Sequence, residues 1–317
     1  MAWRFRGRAR SALVAWLGLA AIAVLMSAGP APAASPVFRG PLYDHPASGS
    51  EDWREPRIAV DCNGEVSIYN TREPQIEVFL PDRKASNSAA VVMLPGGGLR
   101  LLGLGAESDA EVEAFLRHGV AVVRLEYRTL QVPEPKIQRG CRKPPADALP
   151  VSFPKFDIRQ GNANPAPNDE PLGRVLGFAI ADLQETLKLA HRKAETWGLD
   201  ARHIGVIGTS AGGGVAFGAA LANTAPEARP AFLISIFGPS LQDVVVPQDA
   251  APLFLVTEAD HGPVTDGLLA AFSLWKGAGK SAELHVFEVP VFSMTVDLWG
   301  PRMFEWLKEQ GVPALAH

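Results

Sequence analysis

Ile204-Gly205-Val206-Ile207-Gly208-Thr209-Ser210-Ala211-Gly212-Gly213 decides how the rest of the chain is read. Residues 204–207 have strand character, Gly-Thr-Ser-Ala-Gly follows, and the small residues from Gly214 to Asn223 read as a helix. This is G-x-S-x-G in a strand–turn–helix setting, the sequence form of a sharp turn that lifts a serine out of the sheet. The turn strains the serine backbone, so the residues two before and two after it must be nearly free of side chain. Gly208 and Gly212 meet that need. The helix that starts after Ser210 also points free N–H groups and a positive dipole end at any developing oxyanion. What remains to be read is whether the chain supplies partners for Ser210.

Composition narrows the classes. A chain of 317 residues with 47% hydrophobic content can bury one large core. The net charge of −4, with no basic stripe interleaved with aromatics, argues against a nucleic-acid partner. No His/Cys cluster has zinc spacing, so no metal is expected, and no cofactor motif is present.

The N-terminus reads as an address rather than as fold. Arg4, Arg6, Arg8 and Arg10 precede an apolar run from Ala12 to Met26, and Ala31-Pro32-Ala33-Ala34-Ser35 follows. A positive start, a short apolar run and an A-x-A site read as a secretory signal peptide over residues 1–34; the other reading is an uncleaved membrane anchor, for which the run is short, since about 20 residues are needed. The expectation is a periplasmic or secreted protein over residues 35–317, with no stable membrane insertion after cleavage. Cys62 and Cys141 are the only cysteines. An oxidising destination permits a disulfide between them, and two separate thiols are the other reading.

In chain order, residues 35–57 read as an extended arm, and Glu65–Tyr69 and Gln75–Leu80 as two short strands forming an antiparallel edge. Ala89–Leu94 is continuously apolar, as in a strand buried on both faces, and stops at Pro95-Gly96-Gly97-Gly98. A helix is expected over Glu107–His118 and a strand over Ala121–Tyr127. The pattern breaks over Gln131–Gly173, which holds nine prolines. A stretch this long after a strand end reads as a lid-like insertion over Ser210 or as a surface excursion. Helix Val175–Trp197 follows, then the elbow, and then strands and helices in alternation over 231–237, 252–257, 266–276, 282–287 and 299–309. The fold class this gives is α/β, a doubly wound, mostly parallel sheet.

With these segments placed, the chain resembles the α/β-hydrolase superfamily, and within it the secreted acetyl esterase/lipase, acetylxylan-esterase-like group. "IEVFLP" (76–81), "VVMLPGGG", "GVAVVRLEYR", "DLQETLKLAHRKAETWGLDARHIGVIGTSAGG" and "AELHVFE" carry the resemblance over about residues 41–311. It implies that Ser210 is the nucleophile and that the N–H groups of Gly97, Gly98 and Ala211 form the oxyanion hole. It implies hydrolysis of small acyl esters, acetyl esters of carbohydrate among them. Leu99 stands where the group often has an aromatic residue.

The other two members of the group's catalytic set do not carry over. Alignment on Glu283–Glu288 puts Phe292 in the column of the catalytic histidine, and phenylalanine accepts no proton. In the column of the acid stands His261, with Asp260 one residue earlier. Among the seven histidines, His261 alone lies on a loop at the catalytic edge of the sheet, so it is the candidate base. Asp260 is the candidate acid, and the sequence does not choose between it and Glu258, Asp243 or Asp266. Two functions follow: a serine ester hydrolase, or a catalytically weak or silent homologue that binds a ligand or partner in the same pocket.

Overall fold

The computed structural model describes residues 34–61, 65–82, 86–132, 160–222 and 224–313. The signal-peptide reading, both cysteines and most of the lid-like insertion fall outside these residues.

Apolar, β-branched runs build the centre. β4 (Gln75–Phe79), β5 (Ala90–Leu94), β7 (Ala121–Glu126), β8 (Ile204–Thr209), β9 (Leu233–Ile236), β10 (Leu253–Glu258) and β11 (Ala282–Phe287) join β1 (Phe38–Pro41) in one sheet. Its order is β1-β4-β7-β5-β8-β9-β10-β11. The pairs from β7 to β11 are parallel, while β1–β4 and β4–β7 are antiparallel. Helices α2 (Glu170–Trp197), α3 (Ala211–Leu221) and α4 (Pro263–Gly277) contribute to one core layer, and α1 (Ala106–Arg117) and α5 (Val296–Glu309) to the other.

The topology itself marks a place for chemistry. From β5 the chain passes to β7 on one side and later to β8 on the other. The order therefore reverses between β5 and β8, and ligands bind open α/β sheets outside the strand ends at such a reversal. Pro95–Gly98 follows β5 and Ser210 follows β8, so both elements expected to do chemistry flank this crevice.

Three local expectations change. The antiparallel edge is β1 and β4, because the arm folds back with Phe38 opposite Val78. The 66–69 strand instead belongs to a second sheet, β2 (Arg57–Val60), β3 (Val66–Tyr69) and β6 (Leu101–Leu104), which covers the glycine loop. Helix α2 starts at Glu170, within the stretch assigned to the insertion. Asp169 caps it by accepting from the Leu172 N–H at 3.0 Å, and Pro171 stands in the first turn, where a missing N–H costs nothing. The ends of the insertion are tied down. Asn70 bonds both main-chain groups of Val132, and the Gln160 carbonyl accepts from the Val244 N–H.

A buried ion pair fixes the segment after β7 to α2. Asp182 is fully buried and accepts from the Arg128 guanidinium at 2.7 Å, from the Arg128 N–H at 3.1 Å and from the Tyr43 hydroxyl at 2.9 Å. The guanidinium lies 4.4 Å from the centre of the Phe178 ring. Burial pushes the Asp182 carboxyl upward against the pull of these donors. Asp182→Asn leaves the guanidinium buried against a neutral amide, and removing one partner of such a pair costs about 3 to 5 kcal/mol. A urea melt should show a midpoint lowered to match, and an unchanged midpoint would make the pair dispensable.

Candidate active site

The turn at Ser210 has the strain its sequence predicts. Ser210 sits at φ 52° and ψ −124°, outside the regions open to ordinary residues. Its N–H donates to the Ile236 carbonyl at 2.9 Å, and its carbonyl accepts from the Gly213 N–H at 2.9 Å. A side chain at position 208 would overlap the Gly212 carbonyl, and one at 212 would overlap the Leu94 carbonyl. The turn is closed on both sides and admits only glycine there. The Ser210 Oγ has no hydrogen-bond partner among the described residues.

The glycine loop faces it. Tyr127 Oη, buried, donates to the Pro95 carbonyl at 2.7 Å, and the Gly96 carbonyl accepts from the Gly103 N–H at 3.0 Å. The Gly97 carbonyl accepts from the N–H groups of Arg100 and Leu101. These bonds fix the carbonyls of the loop and leave the N–H groups of Gly97 and Gly98 without a protein partner among the described residues. Ala211 supplies the first N–H of α3. Leu99, in the column that is often aromatic, is 2% exposed, belongs to the core and is not among the residues that line the cavity beside Ser210.

Ser210 and this loop open on a cavity of about 470 Å³. Gly96, Gly97, Gly98, Thr209, Phe237 and Phe292 line it, together with Glu65, Glu107 and Glu111. His261 does not. Its Nδ1 lies 2.8 Å from Glu258 Oε2, and its ring packs edge-on to Phe292 at 4.9 Å and beside Phe237 at 5.8 Å. The two phenyl rings thus face the cavity, and the imidazole lies against them.

The carboxylate that meets His261 is Glu258, not Asp260. Glu258 ends β10, is fully buried, and also accepts from the Phe292 N–H at 3.1 Å. Asp260 lies two residues past the strand, in the turn, and is exposed to solvent. Asp243 is engaged elsewhere, accepting from Asn162 at 2.9 Å, and Asp266 lies exposed on α4. Along the chain Glu258 does not stand out from these aspartates, because a carboxylate closing an apolar strand also reads as the strand's solvated end.

Glu111 carries no signal in the sequence that marks it for this site. It is 4% exposed, lines the cavity from α1, and accepts from the Thr209 hydroxyl at 3.4 Å. Burial, then the nearby Glu107, push its carboxyl up to about 8, with the Thr209 bond pulling the other way. Among the described residues, no group of three His, Cys, Asp or Glu could hold a metal.

No protein-family profile matches the sequence, and no curated protein is significantly similar to it. Solved structures are similar. An acetyl ester-xyloside bifunctional hydrolase from Caldicellulosiruptor lactoaceticus superposes with TM-score 0.56 at 15% identity, over 89% of this chain and 99% of that one. A carboxylesterase from Lactobacillus plantarum does so with TM-score 0.56 at 17% identity, over 83% and 100%. A thermophilic esterase from Thermogutta terrifontis does so with TM-score 0.53 at 15% identity, over 83% and 94%. At these identities the likeness is one of fold. With its mostly parallel sheet, the serine turn after β8 and the glycine loop after β5, the chain has the α/β-hydrolase fold of these esterases.

Proposed function

We propose that the protein is a serine ester hydrolase acting on small acyl esters. The observation that carries this reading is Ser210 itself. A residue held at a strained backbone angle costs about 1–3 kcal/mol, and it persists where the strain serves a mechanism. The free N–H groups of Gly97, Gly98 and Ala211 beside the same cavity support it.

In this reading Ser210 Oγ attacks the ester carbonyl carbon while its proton passes to His261. With Nδ1–H donated to Glu258, His261 keeps Nε2 as the acceptor, and Glu258 steadies the imidazolium that forms. The N–H donors hold the tetrahedral oxyanion. Its collapse expels the alcohol, which takes the proton from His261, and leaves an acyl-serine. Water then attacks that ester, His261 takes its proton, and the second tetrahedral intermediate collapses to the acid as His261 returns the proton to Ser210 Oγ. This reading needs the Phe292 ring, which packs against His261 and lines the cavity, to move aside, and Phe292 is 72% exposed, with solvent to move into.

Carbohydrate acetates are proposed among the substrates from the sequence resemblance, supported by the name of the Caldicellulosiruptor enzyme. Export to the periplasm or medium is proposed from residues 1–34 alone. The competing reading is a silent ligand-binding homologue, favoured by Phe292 in the histidine column. A fluorophosphonate ester distinguishes them, because it labels only an activated serine. Peptide mass mapping should place the adduct on Ser210. Absence of any adduct after prolonged incubation would favour the silent homologue.

A further inference from the structure

One wall of the Ser210 cavity has no part in the hydrolysis. Glu107 and Glu111 stand one helical turn apart on α1 and both line the cavity, with Glu65 beside them. Helical spacing of four places two such residues on one face. No lysine, arginine or histidine is among the lining residues. Glu65 is partly committed, since it accepts from the Ala106 N–H at 3.2 Å and so caps α1. Glu107 stands more exposed, nearer the rim, and its carboxyl is pushed upward by burial and then by Glu65 and Glu258.

Glu111 is the anomaly. It is more than nine-tenths buried, and its one partner among the described residues is the Thr209 hydroxyl. That bond engages Oε1, which leaves Oε2 to the cavity the residue lines. Buried carboxyls are ordinarily paired with a cation or with several donors. The nearest arginine of the adjoining strand β7, Arg124, is already held by Glu77 and Asp109. Aromatic rings complete the lining, Phe237 and Phe292. Carboxylates with aromatic faces and no competing base are the chemistry that recognises an ammonium group, whose charge pairs with the one and is attracted to the other.

We propose that this recess binds an ammonium-bearing part of the ester substrate, with Glu111 taking its charge and the Phe237 ring flanking it. An amino alcohol and an amino sugar both carry such a group; the shared feature is the cation. The proposal rests on the ester-hydrolase reading only in calling the ligand a substrate, since cation binding needs no turnover. It also gives the unpaired carboxyl a counter-ion. In the empty cavity Glu111 carries a proton at neutral pH, and an entering ammonium releases that proton to solvent. Binding therefore strengthens as pH rises toward about 8 and then levels off. Glu65 and Glu107 are the other titratable groups on the recess, and burial pushes the Glu107 carboxyl upward as well.

Isothermal titration calorimetry with choline, and with dimethylbutanol as its uncharged isostere, tests this. Wild-type protein should bind choline about tenfold or more tighter than the isostere near pH 8.5. Choline affinity should fall toward about pH 6.5, and the preference should vanish in Glu111→Gln, which keeps the bond from Thr209. Ser210→Ala should keep the preference, and a wild-type protein that hydrolyses no ester yet still selects choline would sink the hydrolase reading alone. Equal binding of the two probes by wild type, or a preference that survives Glu111→Gln, would overturn the recess. If Glu111→Gln fails to fold, Glu107→Gln at the rim serves, with a loss of about threefold expected and no loss counting against the proposal.

Discussion

Histidine in place of Phe292 raises the hydrolysis of nitrophenyl acetate by about a hundredfold or more. The ring at 292 lines the cavity that holds Ser210, and the N–H of the same residue is bonded to Glu258. An imidazole there would stand between nucleophile and carboxylate, with no change in the main chain. Position 292 also has φ 62°, which histidine tolerates better than phenylalanine does. A positioned base contributes about 10² to 10⁴ in rate. The wild-type protein gains only part of this, because the His261 ring packs against Phe237 and Phe292 and does not line the cavity. The gain should appear in kcat and should fall away below about pH 6.5 as the new imidazole protonates. A Phe292→His variant that folds but shows no gain would mean that position 292 does not face the reacting centre.

Alanine at Ser210 should reduce the same hydrolysis by about 10³-fold or more. Without Oγ there is no acyl-serine, and the oxyanion donors alone give only residual catalysis over water. The loss should be at least as large in the Phe292→His background, since there the serine has a better base to lose. The main chain of Ser210 is bonded to Ile236 and Gly213, and its Oγ bonds to no described residue, so the substitution should leave the melting temperature little changed. Equal rates for wild type and Ser210→Ala would end the enzymatic reading.

Much of this arrangement can be read along the chain. The elbow is legible because its two glycines answer a steric demand that no other residue meets, and the glycine loop because it breaks an apolar strand abruptly. The start of α2 is also written in the sequence, as Asp169 followed by Glu170 and Pro171, yet the proline-rich surroundings conceal it. β1 and β6 depend on pairing with distant strands, which short segments such as Phe38–Pro41 and Leu101–Leu104 do not announce. Asp260 and Glu258 differ by two positions, and only the point at which β10 ends decides which of them turns inward. Glu111 could not be foreseen, since a glutamate one turn from another on a helix ordinarily marks its solvated face. Its burial comes with the packing of α1 against β6, β7 and α5, which brings it within reach of the Thr209 hydroxyl.

The bond from the Phe292 N–H to Glu258 has an evolutionary meaning. It belongs to the main chain, so every residue except proline can make it, and the φ of 62° there suits histidine better than phenylalanine. A lineage could therefore surrender its proton acceptor at this position, or recover it, without passing through a misfolded intermediate. In such a scaffold activity is a trait that single substitutions can switch, while the architecture that houses it is inherited intact.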